Sequence, residues 1–230
     1  AVPQMTLISD MGFRDWQQST QSLLADKDLL QKIRRIVPSA TTQAMIQSSS
    51  NIHAIQMYGV YPELEQSLSS IASHTYSDAF STLKADKYLI VLGADLARKL
   101  DVKTGDRVRV LSGDGVVYSP MGPVPSQRKF TVAGIFEMGS QVDSSVAYVH
   151  YKDARKLMRQ DSNTINELRV YLKDPFSAPT LASKVVAGFA KQNIDIQTRD
   201  WRQDFGHLFS AVKMEKNMMS LMLSLIVAVA

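Results

Sequence analysis

Apolar and polar positions along this chain fall into helical and strand periods that alternate from one end to the other. Residues 4–8 read as a short strand. Between residues 13 and 36 apolar side chains recur near helical spacing at Trp16, Leu23, Leu24, Leu29, Leu30, Ile33 and Ile36, predicting a helix broken around Asp26, Lys27 and Asp28. Pro38 is expected to end it. Strands follow at 41–47 and 52–60, joined by a serine-rich hairpin connection. Pro62, with Glu63 and Glu65 behind it, suits the first turn of a helix running to about residue 73.

The middle of the chain is richer in strands: 87–92, 107–111, 127–136 and 145–149, with short helices at 94–100 and 151–159. A strand at 165–172, a helix at 179–192 carrying Leu181, Val185 and Phe189, and a strand at 194–198 complete the pattern. Residues 202–216 place Phe205, Leu208, Phe209 and Val212 at i, i+3, i+4 and i+7, one buried helix face. Residues 218–230 carry no charge and no cap, and read as the start of a truncated transmembrane helix, since a span needs about 20 apolar residues.

The expected class is α+β. Strand–helix units at both ends flank a strand-rich middle, which predicts a discontinuous subdomain from 1–51 and 164–217 with a second subdomain, 52–163, inserted into it.

Composition narrows the function. The chain is 230 residues long, 45% hydrophobic and 21% charged, the balance of a chain with a core. A formal net charge of +4, with both signs interspersed, argues against nucleic acid as a partner. Without cysteine there is neither a disulfide frame nor a thiolate metal site. His53, His74, His150 and His207 are scattered without ligand spacing, so no metal is expected. Neither a nucleophile elbow nor a phosphate loop occurs, and Glu63 with Glu65, or Asp204 with Glu215, give no reason to converge as acid and base. The chain reads as a non-catalytic domain with no cofactor.

Residues 112–125 carry the most information. Pro120, Pro123 and Pro125 fix φ and remove three backbone donors, so the segment is expected to be stiff, protruding and unable to pair as an interior strand. Val116, Val117, Tyr118, Met121 and Val124 lie on it nonetheless. Such a segment either folds back on its own domain or marks an interaction site, and stiffness favours the second, because a stiff loop loses little entropy on docking. Arg109 before the loop and Arg128 after it are either a small basic patch at its base or two solvated strand arginines, and Gln127 and Lys129 flank Arg128 in sequence.

The string PMGPVPSQRKF at 120–130 resembles the hook and following strand of LolC-type transmembrane subunits of lipoprotein-releasing ABC transporters. MEKNMM at 214–219 resembles the entry to the second transmembrane helix of the same family. LIVLGADLARKLDVKTGDRVRV at 89–110 is similar to the wider group of MacB-like periplasmic core domains. The resemblance implies an inner-membrane protein whose domain faces the periplasm, divided into a Porter-like subdomain and an inserted Sabre-like one. It implies a hook at 113–125, with Val117, Tyr118, Pro120, Met121, Gly122, Pro123, Val124 and Pro125 binding the periplasmic chaperone LolA, and a pad of Arg109, Gln127 and Arg128. It also implies a LolE-like or identical transmembrane partner, a LolD ATPase that hydrolyses ATP in the cytoplasm, and lipoprotein substrates handed to LolA. The alternative is a MacB-like efflux or mechanotransmission domain, which has no need of an apolar projecting hairpin.

Overall fold

The computed structural model describes residues 4–65, 75, 79–120, 122–161, 163–174, 177–200 and 218–219. The chain opens with β1 (Met5–Phe13), whose buried Met5, Leu7 and Phe13 face the core. α1 (Trp16–Leu24) starts at Asp15, whose carboxylate accepts the Gln18 N–H at 3.0 Å. α2 (Lys27–Lys32) starts at Asp26 in the same way, accepting from Asp28 N. The helix expected over 13–36 is therefore two short ones, because Asp26 stops one and caps the next.

From Ile33 the backbone becomes extended, and β2 (Ile33–Gln47) runs straight through Pro38, which does not end a helix. Pro38 lies opposite Leu168, and strand pairing on the other edge of β2 begins only at Ser39. The residue without an N–H thus stands where, among the described residues, one edge of the strand has no paired neighbour.

The remaining elements are β3 (Ile52–Val60), α3 (Pro62–Glu65), β4 (Leu89–Gly93), α4 (Ala94–Leu100), β5 (Arg107–Ser119), β6 (Gly122–Phe136), α5 (Val142–Ser145), β7 (Val146–His150), α6 (Tyr151–Leu157), β8 (Ile165–Leu172), α7 (Ala178–Ala190) and β9 (Gln197–Asp200). The expected continuation of α3, the expected helix at 202–216 and most of the apolar stretch 218–230 lie outside the described residues. Met218 and Met219 are helical and exposed. No helix among the described residues is long and apolar enough to cross a membrane.

Strand pairings run β2–β3–β7–β4–β6–β5 and return to β2, which closes a ring. β2 pairs with β3 along one edge from Ser39 to Gln47; along the other it pairs first with β8 (Ile33–Ser39) and then with β5 (Ala44–Gln47). β8 continues to β1, and β1 to β9, all antiparallel. One long strand is shared by the ring and by this flanking sheet.

Alternation sorts the side chains of each strand. In β4, Ile90 and Leu92 join the large core with Ile46, Met57, Val108, Val110, Phe130 and Val149, while Val91 faces the other way. There it meets Phe136, Tyr148 and Phe80 in a smaller cluster that residues 79–83 cover. On the flanking sheet, α7 presents Leu181, Val185 and Phe189, one helical face, and Phe189 meets Phe13 edge-on at 5.5 Å.

Candidate functional site: a two-stranded arm on the ring

β5 and β6 continue past the ring as a hairpin. β2 covers β5 as far as Ser112, and β4 covers β6 only from Thr131, so beyond these points the two strands pair with each other alone among the described residues. The expected loop of some fifteen residues is replaced by this arm: Val117 faces Val124, Tyr118 faces Pro123 and Ser119 faces Gly122. Pro123 and Pro125 are thus on a two-stranded stretch, where missing donors leave no ladder broken on a third strand, and Pro120 stands in the turn between the strands.

The register slips between Ser112 and Val117, where Gly113, Asp114, Gly115 and Val116 oppose Pro125 alone. Here the arm is anchored. Thr42 Oγ1 donates to Asp114 Oδ2 at 2.6 Å, and the Asp114 N–H donates to Ser112 Oγ at 3.0 Å. Gly115 has φ +70°, and a Cβ there would lie 2.4 Å from the Met158 carbonyl oxygen, so the bulge rests directly on the end of α6.

Toward the tip the arm is open. Tyr118 is 84% exposed, Val117 and Val124 are exposed, and Pro120, Pro123 and Pro125 are exposed as well. Gly122 takes φ +115° in open space, the left-handed backbone that lets β6 leave the turn. Met121 lies outside the described residues.

At the base, Arg109 sits opposite Lys129 and Leu111 opposite Gln127, so Arg109, Gln127, Lys129 and Arg107 share the outer face. All four are exposed, and no ion pair holds the three cations among the described residues. Arg128 pairs with buried Val110 and emerges on the opposite face, its guanidinium 5.9 Å from the Tyr88 ring centre. The structure therefore brings Arg109 and Gln127 together and sends Arg128 around the edge of β6.

Sequence patterning missed a second group. Arg169 of β8 is buried with its guanidinium 4.2 Å from the Tyr58 ring centre and 3.8 Å from Glu65 Oε1. Tyr171 Oη donates to Glu65 Oε2 at 2.6 Å, and burial, with the neighbouring Glu65 charge, pushes the Tyr171 phenol far up. These groups tie the flanking sheet to β3 and α3 of the ring. A charged residue inside the apolar run LRVYL was the available signal. Among the described residues no group of three His, Asp or Glu side chains has the proximity to hold a metal, and His74, His207, Asp204 and Glu215 lie outside them.

The family model of the MacB-like periplasmic core domain matches residues 3–187. The chain belongs to that family. Among curated relatives it is 33% identical over 217 residues to the lipoprotein-releasing system transmembrane protein LolC of Neisseria meningitidis, covering 94% of this chain and 50% of that one. It is 33% identical over 198 residues to LolC of Haemophilus influenzae, covering 86% and 48%. LolE of the same organism is 24% identical over 203 residues, covering 86% and 47%. The chain spans about half the length of the curated relatives it matches. Among solved structures, the periplasmic region of MacB from Actinobacillus actinomycetemcomitans is 12% identical with a TM-score of 0.48, covering 90% of this chain and 92% of that one. The resemblance to LolC-type subunits read from residues 120–130 and 214–219 agrees with these relatives.

Proposed function

We propose that this chain is the periplasmic domain of a LolC-type transmembrane subunit of a lipoprotein-releasing ABC transporter, and that it recruits the chaperone LolA through the β5–β6 arm. The domain is not an enzyme. It faces the periplasm from the inner membrane, beside a LolE-like or identical subunit. A cytoplasmic LolD supplies ATP hydrolysis, and lipoproteins pass from the membrane complex to LolA. The Porter-like lobe is the flanking sheet with its helices, from 1–51 and 164–217; the Sabre-like lobe, 52–163, carries the arm.

The observation that carries this reading is the exposure of Tyr118, Val117 and Val124 on a two-stranded, proline-stiffened arm whose base is fixed to β2 and α6. A carrier of acyl chains has an apolar cavity, and a rigid apolar projection suits its mouth at low ordering cost. Pro120, Met121, Gly122, Pro123 and Pro125 complete the hook. Arg109, Gln127 and Arg128 form the pad, a partner that wraps the edge of β6 between 127 and 130 reaching both of its faces.

Calorimetric titration of purified LolA into the domain tests this, with residues 113–125 replaced by a short turn in the comparison. The parent is expected to bind and the shortened domain to give no heat while keeping its circular dichroism. Equal binding by both rules the arm out as the docking element.

A further inference from the structure

The arm and its base present eleven named residues, whereas a standard protein–protein interface uses about 20 to 30 on each side. A carrier of ordinary size docked on the arm must cover more of the ring. Register shows where the surface continues. On the outer face Gln127 lies opposite Leu111, Leu111 opposite Met45, and Met45 opposite Ala54. One row further from the tip, Lys129, Arg109, Gln47 and Ile52 stand side by side in the same way. At an inter-strand spacing of about 4.8 Å these rows cross four strands and roughly 14 Å of sheet.

The surface is unusual for the outside of a ring. Met45 is 40% exposed and Ile52 52%, Ala54 is exposed and Leu111 half-buried, although each stands in the outward, otherwise polar phase of its strand. Elsewhere on the outside of the ring the apolar positions, Val91, Phe136 and Tyr148, are covered by residues 79–83. Here none of the described residues covers them. Arg107, Arg109 and Lys129 border the patch without ion-pair partners among the described residues, and the nearest outward residues of β2, Gln43 and Gln47, are uncharged. An apolar centre with a one-sided cationic rim matches a partner that is apolar in the middle and acidic at its edge.

We infer that the outer face built by Leu111, Met45, Ala54 and Ile52 is a second half of the docking surface, seating an acidic-rimmed flank of the same lipoprotein carrier whose mouth takes the arm. This rests on the reading given under the proposed function. The arm orients the carrier, and the face, continuous with its base through Gln127 and Arg109, slows its departure.

Two independent variants, Met45→Glu and Ile52→Thr, test the face by interferometry with immobilised LolA, alongside Tyr118→Asp on the arm and Leu30→Gln as a control. Leu30 is equally exposed, at 54%, but stands on α2 beside the flanking sheet. Each face variant is expected to raise the dissociation rate about three- to tenfold, since changes within one interface act mainly there; Leu30→Gln is expected to leave it unchanged. Melting temperatures equal to the parent's show that the exposed substitutions leave the fold intact. If both face variants dissociate like the parent while Tyr118→Asp loses binding, the face is not part of the interface and the arm reading stands. If Leu30→Gln raises the rate as much as the face variants, the effect is general stickiness and the face assignment falls. If Tyr118→Asp binds as tightly as the parent, the arm reading itself fails and this inference with it.

Discussion

Gly115 of the arm and the carbonyl of Met158 at the end of α6 are packed so closely that a methyl group on Gly115 would lie 2.4 Å from that oxygen, with φ at +70°. Two separate costs meet at this position. A left-handed backbone with a Cβ costs on the order of 1–2 kcal/mol, and the clash is with backbone that has no rotamer to move. Gly115→Ala is expected to destabilise the domain by about 2–3 kcal/mol in urea unfolding. A loss below about 0.5 kcal/mol would show that the arm is not seated on α6.

The buried pair Arg169 and Glu65 gives a second expectation. Arg169→Ala leaves the Glu65 carboxylate in the interior with Tyr171 as its remaining donor, a change that costs about 3–5 kcal/mol. The double variant Arg169→Met/Glu65→Gln removes both charges while Gln can still accept from Tyr171, and Glu167, 4.0 Å from Arg169, keeps the hydroxyl donors Ser39 and Thr41. It should recover most of that loss in denaturant midpoints. A double variant no more stable than Arg169→Ala would show that the unpaired Glu65 charge is not the source of the loss.

Much of the fold was legible in the sequence, and the exceptions have physical causes. The strand over residues 52–60 and the helix over 94–100 matched their patterns because each keeps a single period between clear stop signals. Residues 33–40 misled because the register slips between Ile33 and Arg35, setting buried Ile33 and Ile36 three apart around exposed Arg34 and Arg35, and because residues 36–40 are buried without alternation. Prolines in 120–125 were read correctly as barring an interior strand, but a two-stranded arm satisfies that condition too. Arg109 and Arg128 were visible in sequence as cations on either side of the loop; that Arg128 faces away from Arg109 follows from register, which the bulge at 113–116 hides from sequence counting. Met45 carried a signal, an apolar residue between Gln43 and Gln47 in the polar phase of its strand.

Stability should fall on mild acidification because of His150. Its Nδ1 accepts the Lys152 N–H at 3.2 Å to cap α6, which needs the neutral ring, and burial holds the imidazole below its ordinary value of 6.5. In the window between the folded value and 6.5 the unfolded chain binds more protons, so stability present above pH 6.5 is lost as pH falls through the folded value. Asp153, raised by burial, acts in the opposite sense nearer its own range. Urea midpoints at about pH 7.5 and about pH 5.5 should differ for the parent and differ less for His150→Asn, which keeps a capping side chain. Equal slopes for the two proteins would remove His150 from the explanation.

Arg109 stands exposed on the outer face with no ion pair among the described residues, so its charge acts on encounter more than on residence. Arg109→Glu is expected to slow LolA association several-fold at low ionic strength, with the difference shrinking as salt shortens the screening length. An association rate and salt slope equal to the parent's would take Arg109 out of the pad.

If the tip of the arm enters the apolar mouth of a lipid carrier, Tyr118, 84% exposed on the free domain, is the side chain that measures it. Burying such a side chain is worth about 1.5–3 kcal/mol, or one to two decades in affinity, and a carboxylate in its place adds an unpaired charge to an apolar site. The direct measurement is the Kd of LolA for the domain and for Tyr118→Asp, with melting temperature as the fold check. Tyr118→Asp is expected to lose at least about tenfold in affinity at unchanged melting temperature; a Kd within about twofold of the parent's would show that the tip does not enter the carrier.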